Sequence, residues 1–213
     1  MTRLFLALPI FHICLMNTVT GFIPFLQRPV LKKQLFEAFK TKDASAIKKI
    51  VDELSALNPT SDIMKDFGML SGNWKLEYTT APNSEVPDEA TSGVKTYQNI
   101  DTSGGVITNV IDRGLPDKGL KISVGAEPTR PGRVALDFRT IEAFNDKFPK
   151  KVVIQFPPRS FFRVISKILA RLIGEPYDEQ KFKEIAYFDL LFLDSDLRIQ
   201  RNNEGNIFIN SRI

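Results

Sequence analysis

The sequence predicts a mainly β fold with helical additions: an up-and-down antiparallel β-barrel, an N-terminal α-hairpin and one late amphipathic helix. Three observations predict it. From Gly72 onward, apolar and polar residues alternate with period two in a series of short runs. The breaks between runs carry turn residues, as in Ser103-Gly104-Gly105 and Asn202-Asn203-Glu204-Gly205. Before Gly72, and again between the late runs, apolar residues recur at helical spacing.

Each element follows in order. Leu31 to Phe39 reads as a helix through Leu31, Leu35, Ala38 and Phe39. Asp43 is a candidate N-cap for a second helix, Ala44 to Leu57, whose Ile47, Ile50, Val51, Leu54 and Leu57 share one face. Asn58-Pro59 stops it. Trp74, Leu76 and Tyr78 mark the first strand, and Pro82 to Ser92 reads as a polar loop. Further strands are expected over Val94–Asp101, Val106–Asp112, Leu120–Ala126, Arg133–Phe144, Val152–Phe156, Ile185–Leu193, Leu197–Arg201 and Ile207–Arg212. Arg159 to Ile173 reads as a helix with Phe161, Val164, Ile165, Ile168, Leu169 and Leu172 on its apolar side. Its polar side carries Arg159, Arg163, Lys167 and Arg171 at successive four-residue steps. This stripe is either a solvated face on a packed helix or a surface for anionic membrane head groups.

The chain has 213 residues, a net charge of +4 and a 43% apolar fraction, which suits one globular domain plus a leader. That charge is too small to argue for nucleic acid as a partner. The only histidine is His12 and the only cysteine is Cys14. Both lie in an apolar run from Leu4 to Met16 that follows Arg3. The run is shorter than the 20 or so residues of a membrane span and reads as a secretory signal, with an uncleaved anchor as the alternative. Cleavage after Val19-Thr20-Gly21 leaves no His and no Cys. Zinc sites built on them, His general bases, Ser-His-Asp triads, Cys nucleophiles and disulfides are then excluded. No Gly-x-Gly-x-x-Gly or Walker-type loop occurs. No cofactor or metal is expected. Asp194-x-Asp196 has the chemistry for Ca²⁺ or acid–base work but sits between two strands, where Asp also makes turns.

Three stretches carry a family resemblance. They are Lys32-Lys33-Gln34-Leu35-Phe36-Glu37-Ala38 with Leu54-Ser55-Ala56-Leu57-Asn58-Pro59-Thr60, then Leu70-Ser71-Gly72-Asn73-Trp74-Lys75-Leu76-Glu77-Tyr78-Thr79-Thr80, and Phe192 to Phe208 with Leu193-Asp194-Ser195-Asp196-Leu197-Arg198-Ile199-Gln200-Arg201. They resemble the opening helices, first strand and closing hairpin of the plastid lipid-associated protein (PAP)/fibrillin family, with Asn202 where that family usually has Gly. The resemblance implies a lipocalin-like barrel over 31–213, residence in plastids on lipid bodies (plastoglobules) or thylakoids, and non-enzymatic binding of isoprenoid, carotenoid, quinone or acyl lipids. Val19-Thr20-Gly21-Phe22-Ile23-Pro24 resembles the two-part leader of algae whose plastids are reached through the secretory route. This implies a signal peptide over 1–21 and a short transit-like segment over 22–30.

In lipocalin-type barrels a Trp such as Trp74, two residues after Gly72, plugs one end, and an Arg from the last strand lies across it. The candidates are Arg198, Arg201 and Arg212, with Arg212 favoured because the last strand must pair with the first. Trp74 as a simple core residue is the alternative. Ligand-cavity candidates are Trp74, Leu76, Tyr78, Phe138, Phe156, Phe188 and Phe192. Two other functions compete with lipid binding: a small hydrolase or isomerase using carboxylate and Lys chemistry in the cavity, and a structural coat without a stoichiometric ligand.

Overall fold

The computed structural model describes residues 26–82, 86, 89–115, 118–144, 152–157, 164, 167 and 186–213. The chain divides into two compact units, Met1–Leu57 and Asn58–Ile213.

The first unit holds two helices among its described residues. Helix α1 covers 26–41, starting before the expected Leu31. Pro29 falls within the described part of this helix. Lys42, in the left-handed region at φ 54°, reverses the chain. Asp43 then caps α2 (Ala44–Ala56) by accepting from the backbone N–H groups of Ser45 and Ala46, both at 3.0 Å. Leu31, Leu35 and Ala38 on α1 and Ile47, Ile50, Val51 and Leu54 on α2 are buried, the spacing that predicted the pair. Among the described residues no helix is long and apolar enough to cross a membrane.

The second unit contains nine strands among its described residues: β1 (Gly72–Thr79), β2 (Lys95–Asp101), β3 (Val106–Leu115), β4 (Lys118–Arg130), β5 (Arg133–Phe144), β6 (Val152–Gln155), β7 (Tyr187–Leu193), β8 (Leu197–Asn202) and β9 (Ile207–Arg212). A 3-10 turn, Phe67–Leu70, precedes β1. The expected polar loop before β2 includes one short helical turn, α3 (Glu89–Ser92). The ring runs β1-β2-β3-β4-β5-β7-β8-β9, all antiparallel, and closes where β9 pairs with β1. Strand β6 lies outside this ring of eight. The edge of β5 is shared: its first residues, Arg133–Ala135, pair with β7, and Thr140–Ala143 pair with β6. The fold is the closed antiparallel barrel with helical additions that the alternation predicts.

Turn chemistry explains the corners. Asp194 Oδ1 accepts from the N–H groups of Asp196 and Leu197, and Asn202 Oδ1 accepts from those of Glu204 and Asn206. Asn202 thus organises the turn at which the resembling family usually has Gly. Asn58 and Thr60 tie down the end of β7: Asn58 Oδ1 accepts from Leu193 N, and Thr60 Oγ1 donates to Leu193 O.

Of the helix expected over Arg159–Ile173, Val164 and Lys167 are helical and exposed. Arg159, Arg163 and Arg171 lie outside the described residues, as do the leader 1–21, the start of the segment 22–30, His12 and Cys14.

Candidate functional site in the barrel interior

One end of the barrel is filled. Trp74 is fully buried and its indole Nε1 donates to Leu70 O at 2.8 Å. Ile63, Leu70, Ile100, Ile107, Val124, Ala126, Val134, Phe188, Leu190 and Leu193 pack with it in one core. Arg212 is the register partner of Trp74 across the closing seam, and its guanidinium lies 4.2 Å from the centre of a Trp74 ring. It donates to the carbonyls of Met69, Ser71 and Ser195, stitching the turn before β1 and the β7–β8 turn to the last strand. Gly72 makes room for it. A Cβ there would stand 2.6 Å from Arg212 Nη1, and Gly72 has φ +123°.

Beside this plug lies a polar layer. Arg198 on β8 is fully buried, with its guanidinium 5.1 Å from the Trp74 ring centre. Its Nη2 donates to Gln98 Oε1, and Gln98 in turn donates to Asn109 Oδ1. Gln200 and Asn210 are buried on the same inner face. Four atoms of this layer are buried without a protein partner: Arg198 Nε and Nη1, Gln200 Oε1 and Asn210 Oδ1. Burial, and then the charge of Arg212, pull the Arg198 pKa down to about 9. Arg201, the third closure candidate, is exposed and pairs in register with Asp189.

The other end is apolar and less filled. Phe138 is the register partner of Val124, so both point inward, yet Val124 is buried while Phe138 is 50% exposed. Its ring stands 6.0 Å from that of half-buried Phe156. Ile111, Leu120, Ile122, Ile141 and Leu76 share the inner face and are all half-buried. Strand β1 pairs with β2 only from Gly72 to Lys75. A cleft of about 260 Å³ lies along this seam, lined by Lys75, Leu76, Val86, Val94, Lys95, Thr96, Tyr97 and Ile213.

The cavity candidates therefore separate. Trp74, Leu76, Phe138 and Phe188 point inward. Tyr78 does not: a bulge at Glu77 leaves Tyr78 opposite Ile209, on the face away from inward Asn210. Phe192 does not either, because a bulge at Leu191 sets it opposite Ile199, between inward Arg198 and Gln200. Alternation counted straight through these bulges assigns both to the wrong face. The polar layer of Gln98, Asn109, Gln200 and Asn210 was missed by sequence reasoning. The sequence carries a signal only for Gln200, two residues from Arg198, and Asn210, two from Arg212; the face of Gln98 and Asn109 follows from strand register with Trp74.

Among the described residues no group of three or more His, Cys, Asp or Glu is placed to hold a metal ion. Asp194 works in its turn, as described above, and Asp112 Oδ1 accepts from Gly114 N in another.

The PAP_fibrillin family model matches residues 31–211, from α1 through all nine strands. The chain belongs to the PAP/fibrillin family. No curated protein and no solved structure matches it. Within the fibrillin match, Gly72-Asn73-Trp74 and the closing hairpin are brought together at the filled end, where Arg212 spans them.

Proposed function

We propose that this fibrillin is a non-enzymatic lipid-binding protein of the plastid. Its barrel interior takes the tail of an apolar or amphipathic lipid through the end marked by Phe138. The observation that carries this reading is the half exposure of Phe138, opposite a core valine at the apolar end of the inner face. Burying such surface against a hydrocarbon chain contributes about 25 cal/mol per Å², and a barrel of eight strands that its own side chains do not fill has room for one small ligand. Native mass spectrometry with lipid extraction of the purified mature protein tests it. About one lipid per chain is expected. A lipid-free protein that binds only droplets or liposomes returns the chain to the coat reading.

One observation favours surface association in addition. Val152, Val153 and Ile154 on β6 are all exposed, on both faces of a strand that borders Phe138 and Phe156. An apolar rim of this kind marks a contact surface. We place a plastoglobule or thylakoid lipid surface against it, with Arg159, Arg163, Lys167 and Arg171 meeting anionic head groups. Delivery through a cleaved signal over 1–21 and a transit segment over 22–30, ahead of a lipid-binding domain over 31–213, completes the proposal.

A further inference from the structure

We propose that the barrel's ligand is a single-tailed amphiphile with an anionic head, carboxylate or phosphate, whose head sits on Arg198 and whose tail runs toward Phe138. This rests on the lipid-binding reading above and names the class of lipid. Along the described strands, register places no Asp or Glu on the inner face, and the one fully buried charge there is Arg198, with Arg212 beside it. Arg212 is served by three backbone carbonyls. Arg198 is not. It is fully buried, gives one donor group to Gln98, and keeps Nε and Nη1 unpartnered.

A buried cation without a counter-charge is among the costliest arrangements in a protein interior. The indole of Trp74 relieves only part of it. An anionic head supplies acceptors to both unpartnered donor groups of Arg198 and offsets the repulsion between the two arginines. A hydroxyl on the head, or a water bound to it, supplies the donors that Gln200 Oε1 and Asn210 Oδ1 lack. A neutral isoprenoid or carotene offers neither charge nor donor. Beyond the polar layer, the half-buried Leu76, Ile122, Ile141 and Phe138 continue the inner face as an apolar track for the tail.

Titration provides an independent readout. The groups facing Arg198 among the described residues are Trp74 from β1, Gln98 from β2 and Arg212 from β9, so Arg212 is the one other charge. With its pKa drawn down to about 9, Arg198 is charged at neutral pH and loses its charge as pH rises through that value.

The test uses the purified, delipidated full chain and four probes: oleate, oleyl phosphate, oleyl alcohol and β-carotene. The anions are expected to bind one per chain, at least about tenfold tighter than the alcohol at neutral pH. Arg198→Met is expected to collapse that difference. The wild-type preference is expected to fade above pH of about 9. Equal binding of anions and alcohol, or an anion preference that survives Arg198→Met, overturns the head-group assignment while leaving lipid binding intact. If Arg198→Met fails to fold, Arg198→Gln is read in its place, and an anion preference that survives it overturns the assignment. Binding of none of the four probes overturns the lipid-binding reading and this inference together.

Discussion

At the scale of single residues, the filled end of the barrel depends on a glycine, a tryptophan and an arginine that fit one another. Trp74→Ala removes a fully buried ring and leaves Arg198 and Arg212 without their aromatic face. It is expected to cost about 3–5 kcal/mol. Gly72→Ala leaves the ring in place but demands a left-handed φ of an L residue and pushes a methyl into Arg212 Nη1. It is expected to cost about 1–3 kcal/mol. Denaturant melts of the two variants check both, and wild-type stability in either one contradicts the packing described. Arg198 makes a separate prediction. Its folded pKa of about 9 lies well below the ordinary arginine value, chiefly through burial and then through Arg212. Below pH 9 both folded and unfolded chains hold the proton, and the cost of the buried charge is constant. Above pH 9 the unfolded chain holds more protons, so this group's penalty shrinks as pH rises. The stability gap between Arg198→Met and the wild type is therefore expected to change across pH 9 to 11 in the wild type's favour, as read from paired melts.

At the scale of elements, the informative places are bulges, seams and the late helix. The bulges at Glu77 and Leu191 each insert one residue and move all that follows to the other face. The contact of β5 with β7 is only three register pairs long. It is reinforced on the outside by Arg133, whose Nε and Nη2 reach Asp189 at 2.6 and 2.8 Å while its guanidinium lies 3.5 Å from the ring centre of Tyr187. For the helix expected over Arg159–Ile173, replacing Arg163, Lys167 and Arg171 with Gln is expected to weaken sedimentation with anionic liposomes, by on the order of 1 kcal/mol per cation at low salt. Binding that ignores lipid charge and salt would return this helix to ordinary packing. Strand β8 shows why its faces could not be assigned from pattern. Leu197, Arg198, Ile199 and Gln200 are all buried, so the polar members face the barrel interior and the apolar members the other side.

At the scale of the whole molecule, the leader and the barrel make separate claims. N-terminal sequencing of the native protein is expected to show a mature chain that begins at or beyond Phe22. A chain that still begins at Met1 removes the cleaved-signal proposal without touching the barrel. Much of the barrel was legible in advance because its evidence is local. Alternation over Arg133–Phe144 and Ile207–Arg212, the cap at Asp43 and the turn residues between strands each depend on a few neighbouring positions, and the structure places these elements accordingly. Membership of the fibrillin family was likewise carried by short motifs at the two ends of the matched region. The sequence by itself determined the order and kind of most of the described elements. Only the tertiary structure decided which face of each strand looks inward. A single bulge reverses the alternation, and a strand buried on both faces hides its polar residues as readily as its apolar ones. That is why Tyr78 and Phe192 turn away from the interior, while Arg198 and its amide neighbours line it.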